Sequence, residues 1–363
     1  MRIAIYALTR DGADTAGKIH DSFADERDPS HEVTLYLPER YLEQFHAAGV
    51  PAVELGKIID LVAESFSKFD AHIFVTAAGI AVRSIALHLN DKTTDPAVVV
   101  LDQYGKHVVS LLAGHLGGAN ALSTQVARIT GGTEVLTTAT DTAGKPSFDM
   151  VAREYGLSIG NIGAVKDINS AILDGEPLEL YDPDGWLTGF APLGMELCRI
   201  GHLSERTEGR ALVYVHWKQA EYMPRTLFLM PPALYVGMGC RRGVPSEELR
   251  KWLFSVLEEY KLIPACVAGG ASIDAKSDEL GLLYLWKDLD LPIEFYSTDE
   301  IEKVSVPTPS ATVQKHMGVE SVAEACAVLA SGGGELIVPK QRLQVATVAI
   351  AVRKPNYIGN ENE

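Results

Sequence analysis

Apolar and polar positions along the chain switch repeatedly between a period of two and a period near 3.6, and the switches mark elements. Ile3–Leu8 is a continuous apolar run that predicts a buried strand. Within Ala13–Phe23, Ala16, Ile19 and Phe23 recur at helical spacing. Val33–Leu37 reads as a second strand, and Ile58, Leu61, Val62, Phe66 and Phe69 as one helix face. Ile73–Val75 predicts a third strand, followed by a helix over Ile80–Leu89 and a strand over Ala97–Leu101. The turn-forming run Asp102–Lys106 and the strand His107–Leu112 predict a hairpin, which departs from simple alternation. A helix over Ala121–Ile129 and a strand over Glu134–Thr138 close the region. Strand–helix alternation of this kind predicts a doubly wound, mostly parallel sheet in an N-terminal α/β domain, residues 1–142.

The pattern then weakens. Residues 143–230 carry a strong turn signal, Asp182-Pro183-Asp184-Gly185, and short strand signals at Leu212–His216 and Thr226–Leu229. They predict a small middle α/β domain, with Met230-Pro231-Pro232 as linker. Alternation restarts with a strand at Leu234–Val236 and a helix whose N-cap is Ser246 and whose apolar face is Leu249, Trp252, Leu253, Val256, Leu257 and Tyr260. Strands near Cys266–Ala268, Ile293–Phe295, Leu336–Val338 and Val345–Val352, with a helix over Val322–Leu329, predict a C-terminal α/β domain over 231–355 and a tail over 356–363.

Composition narrows the class. The chain has 363 residues, 47% hydrophobic and 22% charged, which suits several globular cores. No apolar run reaches the roughly 18–20 residues of a membrane span. The start, Met1–Tyr6, lacks the pattern of a signal peptide. Four cysteines are scattered without the spacing of a disulfide framework or a zinc site. The expected location is the cytoplasm, with no metal bound by the protein itself. A net charge of −16 disfavours nucleic acid and anionic membranes as partners. An anionic small ligand would need local donors.

Five segments offer such donors or reactive groups. Gly114-His115-Leu116-Gly117-Gly118-Ala119-Asn120 precedes a helix, so its amides are placed for a carboxylate or phosphate. His115 there is a candidate acid or base. Thr76-Ala77-Ala78-Gly79, with Arg83 one turn on, stands at a strand end, where open sheets take ligands. Gly237-Met238-Gly239-Cys240-Arg241-Arg242-Gly243 resembles a dinucleotide fingerprint, but its last glycine comes one residue late and no suitably placed acidic residue follows. Its arginines remain donors for carboxylates, and they would favour a Cys240 thiolate. Ser272, Asp274 and Lys276 put hydroxyl, carboxylate and ammonium in one short stretch. Gly332-Gly333-Gly334 reads as a helix-to-strand connection, with Lys340 on the surface. Tight turns, helix caps and solvated charges account for each segment as a bland alternative.

Taken in order, these segments resemble the CbiG family. Phe74–Arg83, Leu112–Asn120 and Thr138-Ala139-Thr140-Asp141 are similar to its N-terminal domain. Gly237–Gly243, Ala271–Lys276 and Gly332–Leu336 with Pro339-Lys340 are similar to its C-terminal domain. Gly269-Gly270 departs from the bulkier residues expected before Ala271, and Arg353–Glu363 has no counterpart. The resemblance implies a cobalt-precorrin-5A hydrolase of anaerobic cobalamin biosynthesis. In that reaction water opens the ring A δ-lactone of a cobalt-containing macrocycle and acetaldehyde leaves, giving cobalt-precorrin-5B. It implies a cobalt-corrinoid substrate, no organic cofactor, and cobalt carried by the substrate. A homodimer and transient contact with other cobalamin-pathway enzymes are further expectations. The general base is expected to be His115, with Asp274 as runner-up. Thr76, Gly79, Arg83, Gly114, Gly117, Gly118, Asn120, Gly237, Gly239, Cys240, Arg241, Ser272 and Lys276 are expected to bind the substrate. The competing readings are a non-catalytic corrinoid binder or carrier, and a nucleotide-dependent oxidoreductase suggested by the Gly-rich runs.

Overall fold

A computed structural model gives the fold and describes residues 1–24, 31–91, 94–192, 194–305, 307 and 322–355; the tail 356–363 lies outside these. The structure is mixed α/β with three sheets, as the alternation predicts. The chain divides into two compact units, Met1–Met150 and Val151–Glu363.

The first unit holds β1 (Arg2–Ala7), β2 (Glu32–Leu37), β3 (Ala52–Glu54), β4 (Ala71–Val75), β5 (Ala97–Leu101), β6 (His107–Leu112) and β7 (Thr133–Val135) in the order β3-β2-β1-β4-β5-β6-β7. Successive side chains of β1 serve opposite faces. Ile3, Ile5 and Ala7 join Ala16, Ile19 and Phe23 of the helix Arg10–Phe23, with Leu122 and Val126 of the helix Ala119–Thr130. Ala4 and Tyr6 join Val62 and Phe66 on the other side, with Ala81 and Ile85 of the helix Ala78–Ile85. Both faces are therefore covered, which is why β4 and β5 are buried throughout.

Strand direction decides where the candidate residues go. β1, β2, β4 and β5 are mutually parallel, as are β2 and β3. β6 returns antiparallel to β5, pairing Leu101 with Val108 and Val98 with Leu112, and β7 runs parallel to β6. Thus β1–β5 end at one edge of the sheet, while β6 and β7 end at the opposite edge.

The second unit carries two sheets. Residues 151–230 are more regular than their pattern suggests, with a helix over Gly163–Leu173 and a five-stranded sheet. That sheet comprises β8 (Ser158–Ile159), β9 (Leu178–Tyr181), β10 (Leu197–Ile200), β11 (Leu212–Val215) and β12 (Thr226–Met230) in the order β10-β9-β11-β12-β8. The last sheet, β15-β14-β13-β17-β16, uses β13 (Leu234–Cys240), β14 (Val267–Ile273), β15 (Ile293–Tyr296), β16 (Glu335–Arg342) and β17 (Ala346–Val352).

Two glycine pairs, Gly237 with Gly239 and Gly269 with Gly270, lie inside these strands. β13 continues through Gly237 and Gly239 because β17 pairs with it as far as Cys240. A Cβ on Gly237 would overlap the Ala323 carbonyl oxygen of the helix Val322–Ala330, so this glycine lets the helix lie against the strand. β14 likewise runs through Gly269-Gly270, and Trp286 occupies the space where a Gly270 side chain would stand. The departure from bulkier residues there is matched by the packed indole.

Candidate functional site

The run after β6 folds back on itself before its helix starts. The Gly118 amide donates to His115 O (2.9 Å), the Ala119 amide to Ala113 O (3.1 Å) and the Asn120 amide to Gly114 O (2.9 Å). Gly118 has φ +87° and Ala113 φ +54°, the left-handed region in which a non-glycine residue is uncommon. A Gly117 side chain would overlap Ala113, and one on Gly114 would crowd the Asn120 amide group. These glycines thus let the loop cap its own helix. The amides of Gly118, Ala119 and Asn120, expected to hold a ligand anion, are occupied by loop carbonyls.

What the loop presents is side-chain chemistry. His115 Nε2 lies 2.9 Å from Asp141 Oδ2, and its Nδ1 lies 3.3 Å from Asp149 Oδ2. Carboxylate oxygens can only accept, so both ring nitrogens donate and the imidazole is held as imidazolium. The hydrogen bond to Asp149 is the main cause, opposed by burial and helped by Asp141, and the pKa of His115 rises from 6.5 to about 8. For Asp149, burial opposes ionisation, but hydrogen bonds from His115 and Ser147 outweigh it and lower the carboxyl from 3.8 to about 2. Asp149 is nearly buried, whereas the Asp141 side chain is 33% exposed.

Asn120 completes the cluster. Its Nδ2 donates to Asp141 Oδ2 (2.8 Å) and its Oδ1 accepts from Ser110 Oγ (2.6 Å), which fixes which end of the amide faces Asp141. Both donors converge on Oδ2. Among the described residues, Oδ1 accepts no hydrogen bond. The arrangement offers a fixed imidazolium, a carboxylate open on one oxygen and a buried carboxylate that orients the ring. Asp141 and Asp149 are not among the expected site residues. The Thr138–Asp141 run pointed to the first, and an acidic residue in the first turn of the helix Phe148–Glu154 was the available signal for the second.

Thr76, Gly79 and Arg83 do not join this cluster. They stand at the other edge of the same sheet, by the ends of β1, β4 and β5, where a cavity of about 560 Å³ opens. Thr76 lines it together with Leu8, Thr9, Ala78, Gln103 and His107.

The remaining candidates belong to the second unit and gather at the ends of β13 and β14. Arg242 Nη1 grips both carboxylate oxygens of Asp278 (2.9 and 3.0 Å), and the Gly243 amide donates to Glu279 Oε1 (2.9 Å). Lys276 is buried, with its Nζ 3.7 Å from Glu279 Oε2. Ser272 is fully buried and its hydroxyl donates to Met238 O (2.7 Å), a strand-to-strand role. Burial pushes the Cys240 thiol up despite the nearby Lys276, so the thiolate suggested by the neighbouring arginines is disfavoured. Arg241 and Asp274 remain exposed. Among the described residues no group of three or more His, Cys, Asp or Glu is placed to hold a metal ion, and no helix is long and apolar enough to cross a membrane.

Comparison with known proteins covers all three parts. Residues 60–141 match the cobalamin synthesis G N-terminal model, 146–231 the cobalamin biosynthesis central region and 234–351 the cobalamin synthesis G C-terminus. The cobalt-precorrin-5A hydrolase of Salmonella typhimurium is 33% identical over 314 residues, covering 82% of this chain and 86% of that protein. The enzyme of that name from Priestia megaterium is 29% identical over 307 residues, covering 82% of each. A solved cobalamin biosynthesis protein G homolog from Sulfolobus solfataricus is 22% identical over 96% of each chain, with a TM-score of 0.36.

Proposed function

Since this chain belongs to the cobalamin synthesis G family, we propose that it is a cytoplasmic cobalt-precorrin-5A hydrolase, and that the His115–Asp141–Asp149 cluster is its chemical site. The observation that carries the site assignment is the pair of carboxylates on the two nitrogens of one imidazole. It refines the expected role of His115. A ring that already donates from both nitrogens is an acid, so the base is assigned to Asp141.

In the proposed reaction, Asp141 takes a proton from water through its open oxygen as the water oxygen attacks the lactone carbonyl. The tetrahedral intermediate collapses, the ring C–O bond breaks, and the departing oxygen takes the proton from His115 Nε2. This leaves a free carboxylic acid and a hydroxyl on the methylated carbon. Neutral His115 next accepts that hydroxyl proton, the C=O of acetaldehyde forms, and the C–C bond to the macrocycle breaks with its electron pair kept by the macrocycle. Asp149 keeps the ring oriented and favours its charged form throughout. No organic cofactor enters these steps, and cobalt arrives as part of the substrate.

Asp141→Asn keeps the shape of the cluster but removes the base. Positioned general bases contribute roughly 10²- to 10⁴-fold. Acetaldehyde release from cobalt-precorrin-5A is expected to fall by at least about 100-fold, and turnover within a few fold of the wild type would refute the assignment.

A further inference from the structure

The cavity at the far edge of the first sheet is not part of the His115 cluster. The order β2-β1-β4-β5 means the chain leaves β1 in opposite directions on its two sides. The crevice between the ends of β1 and β4 is therefore the switch point at which open α/β sheets take ligands. The His115 loop follows Leu112, which pairs with Val98 near the start of β5, whereas Leu101 at the end of β5 lines the cavity. The three steps from Val98 to Leu101, at roughly 3.3 Å each, set the two strand positions about 10 Å apart. β5 is buried along its whole length between them. The two places therefore lie at opposite ends of the same strand.

The polar groups of the cavity are sorted by what they have left to offer. The one carboxylate on the wall is engaged on both oxygens: Asp102 takes the amides of Tyr104 (2.9 Å) and His107 (2.8 Å), closing its own turn. The Thr9 hydroxyl accepts from the Gly12 amide (3.2 Å) and donates to Gln103 Oε1 (2.9 Å). That bond fixes the Gln103 amide with its oxygen satisfied. Thr15 holds the Gln103 backbone by donating to its carbonyl oxygen (2.8 Å). Donors remain: among the described residues, Gln103 Nε2 and the amides of Ala78 and Gly79 donate to nothing. Thr76 is buried, and its hydroxyl makes only a long contact, donating to Ala77 O (3.4 Å). Beside them the Arg83 guanidinium folds back over Gly79, with Nη2 3.4 Å from where a Cβ would stand, and has no ion-pair partner among the described residues. The rest of the wall is apolar, including Leu8, Val75, Ile80 and Val100. A volume of about 560 Å³ lies within the usual range of small-molecule sites.

We propose that this cavity is a second binding site, separate from the chemical one, for the carboxylate-bearing edge of a tetrapyrrole. Apolar walls take the ring edge, and the unfilled donors take an acetate or propionate arm. The choice of tetrapyrrole rests on the proposed function; the preference for an apolar body with an anionic arm rests on the cavity alone.

The test uses the full chain and uroporphyrin, a porphyrin bearing acetate and propionate arms, followed by absorbance and fluorescence titration. Gln103→Glu keeps the bond from Thr9 but replaces the amide donors with a negative oxygen. It is expected to weaken binding at least tenfold, on the scale of a lost charged hydrogen bond. Thr76→Val, a milder change, is expected to weaken it a few fold and serves if Gln103→Glu does not fold. Lys18→Ala, which removes an exposed charge from the helix Arg10–Phe23 outside both sites, should bind as the wild type does. The proposal is overturned if uroporphyrin does not bind, if both cavity variants bind like the wild type, or if Lys18→Ala weakens binding as much as they do. Acetaldehyde release is scored separately on the wild type: uroporphyrin binding that depends on Gln103 without acetaldehyde release keeps the cavity and removes the hydrolase, and the converse result removes the cavity.

Discussion

Asp149→Asn separates orientation from charge in the His115 cluster. Asparagine has nearly the same shape, and its Oδ1 can still accept from His115 Nδ1, so the ring keeps its place. What goes is the charge, and with it the charge-assisted part of the Asp149 hydrogen bond, the main cause of the rise of the His115 pKa to about 8. A drop from about 8 back to the ordinary 6.5 is worth about 2 kcal/mol between the two protonation states. Burial opposes the charged ring and Asp141 still favours it, so the variant is expected to fall below 7. Because the proposed step needs His115 protonated, kcat/KM of the wild type should decline above about pH 8. The variant should decline at least one unit lower. The same coupling enters stability with a definite sign. A raised histidine pKa stabilises fully below pH 6.5 and is lost as pH rises through about 8; discounted for solvent access, it is worth about 1 kcal/mol. The assay is the pH dependence of acetaldehyde release, together with NMR titration of the His115 ring. An alkaline limb that stays near pH 8 in the variant, with an unmoved ring titration, would refute the reasoning.

Other consequences are as specific. Asn120→Ala removes the link from Ser110 to Asp141 and frees Oδ2 of one donor; kcat should fall roughly 10- to 100-fold, in line with one charge-assisted hydrogen bond, with little change in melting temperature. Gly237→Ala would drive a methyl into the Ala323 carbonyl and should destabilise the second unit by about 1–3 kcal/mol, read by denaturant unfolding; unchanged stability would show that the helix Val322–Ala330 is free to shift. His72 is fully buried between the Tyr6 hydroxyl (3.0 Å) and Phe66 O (3.1 Å), and burial lowers its pKa to about 4. It must stay neutral on folding, so it costs stability progressively as pH falls from 6.5 toward 4, about 2 kcal/mol by pH 5. His72→Gln, which cannot take up a proton in this range, should flatten that loss in melts at pH 7 and pH 5.

The alternation of the outer thirds was legible because buried parallel strands are short apolar runs and their helices carry one apolar stripe. The pattern between 151 and 230 was weaker, yet Val165, Ile168, Ala171 and Ile172 of the helix Gly163–Leu173 are buried at helical spacing. The glycine runs were legible as special but not as to why. Gly237 and Gly270 answer to a helix and an indole distant in sequence, Ala323 and Trp286, and no local pattern reveals such a neighbour. His115 and Asn120, two members of the proposed site, stand out in sequence from their glycine-rich loop. Asp149 was not, because it matters only once the chain between it and His115 folds to set it against Nδ1, and a single carboxylate at a helix start is ordinary in sequence. The separation of Thr76 from His115 hangs on one strand reversal, β5 to β6, which the Asp102–Lys106 turn signalled but whose consequence for the site needed the register.

The central claim is that this chain breaks bonds in its ligand and does so at Asp141 and His115. Anaerobic incubation with cobalt-precorrin-5A, following acetaldehyde and product mass, tests it most directly. The wild type should release one acetaldehyde for each cobalt-precorrin-5B formed, and Asp141→Asn should bind the substrate but release almost none. Wild-type protein that binds the macrocycle, returns it at unchanged mass and yields no acetaldehyde would contradict the account and leave a corrinoid carrier in its place.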